Sequence, residues 1–167
     1  MKTITIKSKK HGLHKVLVDN EDYEMLNQLR WHIQKDEHRF YPSRNFRLPG
    51  KPRRYTQKSM HFFILGEKHG FVVDHIDGNP KNNQKSNLRF CTEAENQRNK
   101  RKVKKNTVGF KGVSFRYGKY RARIMKDYKP FDLGMFDTLE LAVSAYNVAA
   151  KILHGEFANQ NEMPCAE

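Results

Sequence analysis

Near the start of the chain, aliphatic and β-branched positions alternate with polar ones in KTITIK (residues 2–7), and KVLV (15–18) follows across the turn KKHG. A period of two places every second side chain on one face, which predicts a β-hairpin. The period changes in EDYEMLNQLRW, where Tyr23, Leu26 and Leu29 or Arg30 recur at helical spacing behind Asn20, a residue suited to cap a helix. HRFYPSRNF and KPRRYTQKSM then read as two strands around Leu48-Pro49-Gly50, and SMHFFILGEKHG as a short helix ending at Gly66 or Gly70. From Phe71 the pattern predicts a strand, FVVDH, a polar loop, a second strand, NLRFC, and a helix starting near Thr92. Thr92-Glu93-Ala94-Glu95 has the capping-box form, in which the threonine oxygen and the glutamate carboxylate satisfy each other's backbone donors.

Beyond that helix, NKRKVKKNTVG carries cations with no apolar periodicity and reads as a linker. GFKGVSFR, GKYRARIM and PFDLGMF predict three strands, separated by Tyr117-Gly118 and by a turn from Asp127 to Pro130. In TLELAVSAYNVAAKILHGE, Leu139, Ala142, Val143, Tyr146, Ala149 and Ala150 fall on one helical face, with Thr138 as cap and Gly155 as stop. Three strands and one packed helix make a second small core, so the expected class is α+β.

Composition narrows the partners. The 167 residues carry 32 Lys+Arg against 18 Asp+Glu, a formal net charge of +14, which points to a polyanion. The longest apolar stretches, such as MHFFILG, are far shorter than the roughly 20 residues that span a bilayer, the N-terminus lacks the apolar core of a signal peptide, and no strongly amphipathic basic helix is visible. The expectation is a cytoplasmic, nucleic-acid-binding protein without membrane contact. Charge does not separate DNA from RNA, but the chain lacks an aromatic-rich single-strand platform, which weakens the RNA reading. Cys91 and Cys165 form no CxxC pair, so neither a structural zinc site nor a disulfide framework is expected.

The polar stretch VVDHIDGNPKNNQKSNLRFCTEAENQRNK, Val72 to Lys100, carries the candidate chemistry. Turn vocabulary explains Asp77-Gly78-Asn79-Pro80. It does not explain Asp74 and His75, which precede the turn, or Asn96 in the following helix. Asp supplies a hard oxygen ligand and Asn a neutral one, a set that suits Mg²⁺ with water and phosphate oxygens; Asp77 is the alternative ligand. His75 at the same strand end is placed to take a proton from an attacking water, since an unperturbed imidazole titrates near pH 6.5. Metal and base together hydrolyse phosphodiesters.

These residues resemble the motif of HNH nucleases, the ββα-metal group, in the form found in phage and intron-associated homing endonucleases. The resemblance implies that Asp74 and Asn96 bind the metal, that His75 is the general base, and that Asn87 hydrogen-bonds across the hairpin to hold the His75 backbone. It implies Mg²⁺ as cofactor, with Mn²⁺ as a substitute. Many HNH enzymes have histidine where this chain has Asn96. The stretch from GFKGVSFR to HGEFANQN resembles the APETALA-type, or ethylene-responsive-factor, DNA-binding domain, whose three-stranded sheet lies in the major groove. The matching positions are Lys111, Ser114, Arg116, Tyr117, Arg123 and Met125. Plant members typically have arginine at Ser114 and Met125, glutamate at Arg123 and tryptophan at Tyr117, so base preference does not carry over.

The organisation read from the sequence is therefore a nuclease domain over 1–100, including the strand-rich N-terminal module, a basic linker over 101–108, an APETALA-type domain over 109–161 and a tail over 162–167. Double-stranded DNA is the expected partner of a monomer. Arg98, Lys100, Arg101 and Lys102 are expected to track phosphates, and Arg121 and Arg123 share a sheet face by alternation. Asn79, Asn82 and Asn83 read as loop formers, a phosphate contact being the alternative. His61 reads as a packed histidine rather than a ligand, and His11, His14 and His69 as surface residues. The expected activity is Mg²⁺-dependent DNA cleavage by a homing endonuclease in a bacterial or phage-infected cell; the alternative is a non-cleaving DNA-binding regulator on the same scaffold.

Overall fold

The structure is a computed structural model describing residues 1–36, 39–50, 52–99, 108–127 and 129–163. Its elements divide into two compact units, Met1–Thr92 and Glu93–Glu167. Strands and helices mix throughout in small antiparallel sheets, in keeping with the α+β expectation. No helix among the described residues is long and apolar enough to cross a membrane.

In the first unit, β1 (Lys2–Ser8) and β2 (Gly12–Val18) form the expected hairpin, with Ile4 opposite Val16. The inward side chains Ile4, Ile6, Val16 and Val18 meet Leu26, Trp31, Ile33 and Met60 in one core. Helix α1 (Asn20–Asn27) drives Leu26 into that core, as its spacing predicts. The cap differs from expectation: the N-cap is Asp19, and its carboxylate makes no capping bond. It accepts instead from the Lys85 N–H at 2.7 Å and from the Gln84 amide at 3.2 Å, because charge-assisted bonds to a distant loop outcompete the local one. A sheet of β3 (His32–Asp36), β4 (Arg39–Leu48) and β5 (Arg54–Ser59) follows. Strand β3 was not evident in the sequence: as an edge strand it buries only Ile33 and shows no alternation. His14, expected at the surface, is buried against the Phe40 ring at 4.9 Å, and its Nε2 pairs with the His11 carbonyl at 3.0 Å.

Helix α2 (His61–Leu65) ends where Gly66 takes a positive φ of 78°, a conformation that costs glycine no steric penalty. Strands β6 (Val72–His75) and β7 (Leu88–Cys91) then pair antiparallel, with Asp74 opposite Arg89 and His75 opposite Leu88. The loop between them closes through a 3₁₀ turn, Lys85–Asn87.

The second unit begins with α3 (Glu93–Asn99). Its sheet runs in the order β10-β9-β8, from β8 (Val113–Arg116), β9 (Lys119–Lys126) and β10 (Lys129–Phe136). Helix α4 (Leu139–His154) packs on the sheet and buries Ala142, Val143, Tyr146 and Ala150 against Val113, Ala122 and Ile124. Thr138 Oγ1 accepts from the Leu141 N–H at 3.3 Å, and Gly155 turns the chain at φ 55°, both as expected.

Gly112 is fixed by this packing. Its φ is +73°, and a Cβ there would lie 2.2 Å from Tyr146 Cε2 and 2.5 Å from the Arg123 carbonyl oxygen. Replacing Gly112 with Ala is expected to cost about 2–5 kcal/mol, from backbone strain and overpacking together. Denaturant unfolding followed by circular dichroism measures this; an unchanged midpoint contradicts it.

Candidate active site

The loop from Ile76 to Asn87 is built almost entirely from side chains that bond the backbone. Asp77 Oδ1 accepts from the Asn79 N–H at 2.7 Å and from the Asn87 amide at 3.0 Å, while Oδ2 accepts from the Asn82 amide at 2.8 Å. Asn79 Oδ1 takes the Lys81 N–H at 3.1 Å. Burial works against the Asp77 charge, but these three donors outweigh it and hold its carboxyl below the usual range. Asp77, the alternative metal ligand, is thus the organiser of the loop. Asn79 and Asn82 are loop formers in the same network.

Asn87 is buried and bonds in three directions. Its Oδ1 accepts from the Asp77 N–H at 3.0 Å, its Nδ2 donates to the Asn82 carbonyl at 2.8 Å as well as to Asp77, and its own carbonyl accepts from the Ile76 N–H at 2.9 Å. These bonds grip the two residues after His75. The His75 carbonyl itself takes the Gly78 N–H at 2.7 Å. The loop is also tied to β2: Leu17 donates to the Lys81 carbonyl and accepts from the Asn83 N–H, both at 2.8 Å.

His75 is 6% exposed. Its Nε2 lies 3.4 Å from Asn83 Oδ1, and its ring meets that of His61 at 5.3 Å and 74°. Burial pulls its pKa below the ordinary value, while Asn83, Asp77 and Asp74 push it upward. His61 is packed, as its place before an apolar run predicts, and burial lowers its pKa to about 3, with the neighbouring His75 adding to the effect. Both rings are therefore neutral at neutral pH. A neutral imidazole retains a lone pair and accepts a proton.

Asp74, also buried, faces Arg89 across the ribbon: Arg89 Nε and Nη2 reach Asp74 Oδ2 at 3.0 and 2.9 Å. Nothing adjacent to Arg89 in the sequence marks it. Antiparallel register alone would have found it, because Asp74 and Arg89 are directly opposed. Asn96 lies on α3, in the second unit. One carboxylate and one amide are hard oxygen donors, so the residue types fit a divalent cation such as Mg²⁺. Among the described residues no group of three His, Cys, Asp or Glu side chains gathers to hold a metal.

The remaining predicted residues belong to the second unit. Arg98 donates to Asp127 at 2.9 Å, and Lys111 is half-buried with Nζ 2.5 Å from the Arg98 carbonyl, burial lowering its pKa to about 8. A cavity of about 390 Å³ opens beside them, lined by Gln97, Arg98, Lys111, Met125, Tyr146 and His154 among others. Lys119, Arg121, Arg123 and Met125 alternate with buried Ala122 and Ile124, so they share the outer face of the sheet with Ser114 and Arg116. Arg121 is engaged by Asp132, with Nε 2.9 Å from Oδ2, whereas no ion pair holds Arg123 among the described residues. Tyr117, 94% exposed, sits at the turn with φ 51°. Lys100, Arg101 and Lys102 lie outside the described residues, as do most of the linker and Cys165.

The buried Asp-His pair at the end of β6, its antiparallel partner strand and the asparagine-braced loop fall within residues 65–98, which match the family described as HNH endonuclease. The chain carries an HNH endonuclease domain, which implies a DNA-cleaving hydrolase. Over 91 residues it is 36% identical to Protein 3.8 of Escherichia phage T7, covering 53% of this chain and 74% of that one. Over a further 91-residue alignment it is 37% identical to the uncharacterized HNH endonuclease L560 of Acanthamoeba polyphaga mimivirus, covering 54% of this chain and 47% of that one. The chain thus spans about half the length of the mimivirus relative. No solved structure matches it.

The buried histidines make stability depend on pH. His61 is neutral in the folded state down to about pH 3, whereas an unfolded histidine binds a proton below about 6.5. Because its folded pKa is depressed, its contribution is fully present above 6.5 and is lost as pH falls toward 3. His61→Phe is expected to flatten this acid loss, read as a smaller drop in urea midpoint between pH 7 and pH 5 than in the wild type. An equal drop in both proteins contradicts the assignment.

Proposed function

We propose that the chain is a site-directed DNA endonuclease of the homing type, acting with Mg²⁺, or Mn²⁺ in its place, in a bacterial or phage-infected cell. The observation that carries the reading is the buried, neutral His75 beside Asp74, in a loop whose polar groups bond one another. His75 takes the proton of the attacking water as the phosphodiester bond is broken. Asp74 and Asn96 are the proposed oxygen ligands; the bound ion would stabilise charge on the scissile phosphate. Asn87 keeps the loop, and with it His75, in one place. The Arg89 guanidinium gives the buried Asp74 carboxylate a directly opposed hydrogen-bonding partner.

The second unit supplies DNA binding as an APETALA-type domain. Support comes from its three-stranded sheet on one helix and from the cationic outer face with Arg116, Arg121 and Arg123. A sheet of this width fits the major groove. Asp132 orients Arg121, which leaves Arg123 as the base-reading candidate. Arg98, Lys100, Arg101 and Lys102 are assigned to phosphates, Tyr117 to the rim of the same surface, and the half-buried Lys111 to its support. The protein acts as a monomer on double-stranded DNA. The Asp74–Arg89 pair favours one other reading, a DNA-binding regulator that does not cut, because Arg89 competes with a cation for the same carboxylate.

Incubation of supercoiled plasmid with the protein and Mg²⁺ decides between the two, since nicked or linear product requires an enzyme. His75→Ala is expected to reduce cutting about 10²–10⁴-fold with DNA binding retained. Asp74→Ala or Asn96→Ala is expected to raise the Mg²⁺ concentration needed for activity or to abolish cutting. Cutting by His75→Ala at the wild-type rate overturns the base assignment. Arg123→Ala is expected to lose about 1–3 kcal/mol of discrimination between the preferred site and random DNA. Equal weakening on both, with a shallower salt dependence, makes Arg123 a phosphate contact instead.

A further inference from the structure

We propose that the outer half of the β4–β5 hairpin is a DNA-backbone clamp within the first unit, with Arg47, Arg53, Arg54 and Tyr55 as its phosphate contacts; this rests on duplex DNA being the substrate. Residues 39–59 contain seven Lys and Arg and neither Asp nor Glu, although acids bracket the stretch, Asp36 and Glu37 before it and Glu67 after. One of the seven, Lys51, lies outside the described residues. Charge of a single sign raises the local potential and draws a polyanion.

Strand pairing shows how this charge is presented. β3 covers only Arg39–Ser43 of β4, and β5 pairs with Ser43–Leu48. Beyond Ser43 the sheet is a two-stranded ribbon, which no third strand joins among the described residues. Its back carries Phe46, whose ring stacks on Phe63 of α2 at 5.6 Å, and Lys58, paired with Glu67 at 2.7 Å. Its front carries Arg47 directly opposite Tyr55, both exposed, with Tyr55 at 62%. Arg53 and Arg54 are exposed where the ribbon turns, and among the described residues no ion pair holds them or Arg47. The core of the unit takes no residue from 44 to 59, so folding does not account for these side chains.

The base of the ribbon stands at the site. The Met60 N–H donates to the Pro42 carbonyl at 2.8 Å, and the next residue, His61, packs its ring against His75 at 5.3 Å. β5 has six residues from Arg54 to Ser59. Its length from base to tip is therefore roughly 17 Å, at about 3.3 Å per residue. That is about five base pairs of B-DNA, at about 3.4 Å per step. Arginine and tyrosine carried that far meet phosphates about half a helical turn from the bond being cut. Such contacts hold the duplex in place and carry no sequence information. A two-stranded ribbon also fits the major groove, which is about 12 Å wide.

Binding of the full chain to a short duplex of arbitrary sequence, without metal and over a range of salt, tests the clamp, because phosphate contacts need no target site. Arg53→Ala/Arg54→Ala is expected to weaken binding roughly tenfold per arginine at about 0.1 M salt, and to make the slope of log K against log salt shallower by about one for each. Arg47→Ala is expected to show the loss of one such contact. Tyr55→Ala is expected to weaken binding with the slope unchanged, since a neutral side chain releases no counterion. Lys9→Ala/Lys10→Ala removes the same charge from the exposed β1–β2 turn and is expected to keep wild-type affinity and slope. All these side chains are exposed, so circular dichroism is expected to match the wild type in every variant. Equal losses in the two double variants overturn the clamp, because net charge alone then explains them. Wild-type affinity in Arg53→Ala/Arg54→Ala overturns it too, and assigns the ribbon to another polyanion or to guarding its own open edges. If Arg123→Ala weakens binding while the ribbon variants do not, the clamp fails alone; a wild-type chain with no affinity for duplex DNA at low salt overturns the DNA reading with it.

Discussion

Two backbone hydrogen bonds to Leu17 decide whether the loop after His75 has a single conformation. The loop carries little apolar surface to bury, and asparagine-rich segments have many competing hydrogen-bonded turns. Its internal bonds, from Asp77 to Asn79, Asn82 and Asn87, make it compact without saying where it stands. The Leu17 bonds give it that place, against a strand whose neighbours Val16 and Val18 are anchored in the core. Asp19 adds a second grip one strand-end away, spending its carboxylate on Gln84 and Lys85 rather than on its own helix.

With the loop placed, the electrostatics of the site follow. Burial holds both imidazoles, 5.3 Å apart, in the neutral form, and the neighbouring His75 adds to the effect on His61. For His61 that is the whole outcome. For His75 the opposing pull of Asn83, Asp77 and Asp74 keeps the ring from being merely an inert core residue. The same surroundings suit Asp74, whose charge is answered directly across the ribbon by Arg89. Asp74 and His75 at the end of β6 have polar partners in Arg89 and Asn83, which is what allows chemistry to sit in a unit with so small a core.

Local signals in the sequence located most of the elements. The β1–β2 hairpin, α2 with its glycine stop, the β6–β7 ribbon and α4 with Thr138 and Gly155 were legible because each is written in consecutive residues. What was illegible is non-local. Nothing adjacent to His14 says that Phe40 will cover it, and nothing near Asp19 says that Lys85, 66 residues on, will outbid the helix for its carboxylate. β3 escaped because an edge strand needs only one buried side chain. Within the site, Asp74, His75 and Asn87 could be picked out by type and order, whereas Arg89 emerges only from strand register and Asn83 only from its contact with the His75 ring.

The attachment at Leu17 is made entirely by main-chain atoms. Side-chain substitution there would leave both bonds in place, so a systematic alanine survey would pass over the residue, and related chains are at liberty to vary it without loss. Only a change to the backbone itself, a proline that deletes the N–H or an ester that replaces the amide, would expose how firmly the N-terminal hairpin holds the histidine's loop. This hold on the site is thus one that residue identity does not record.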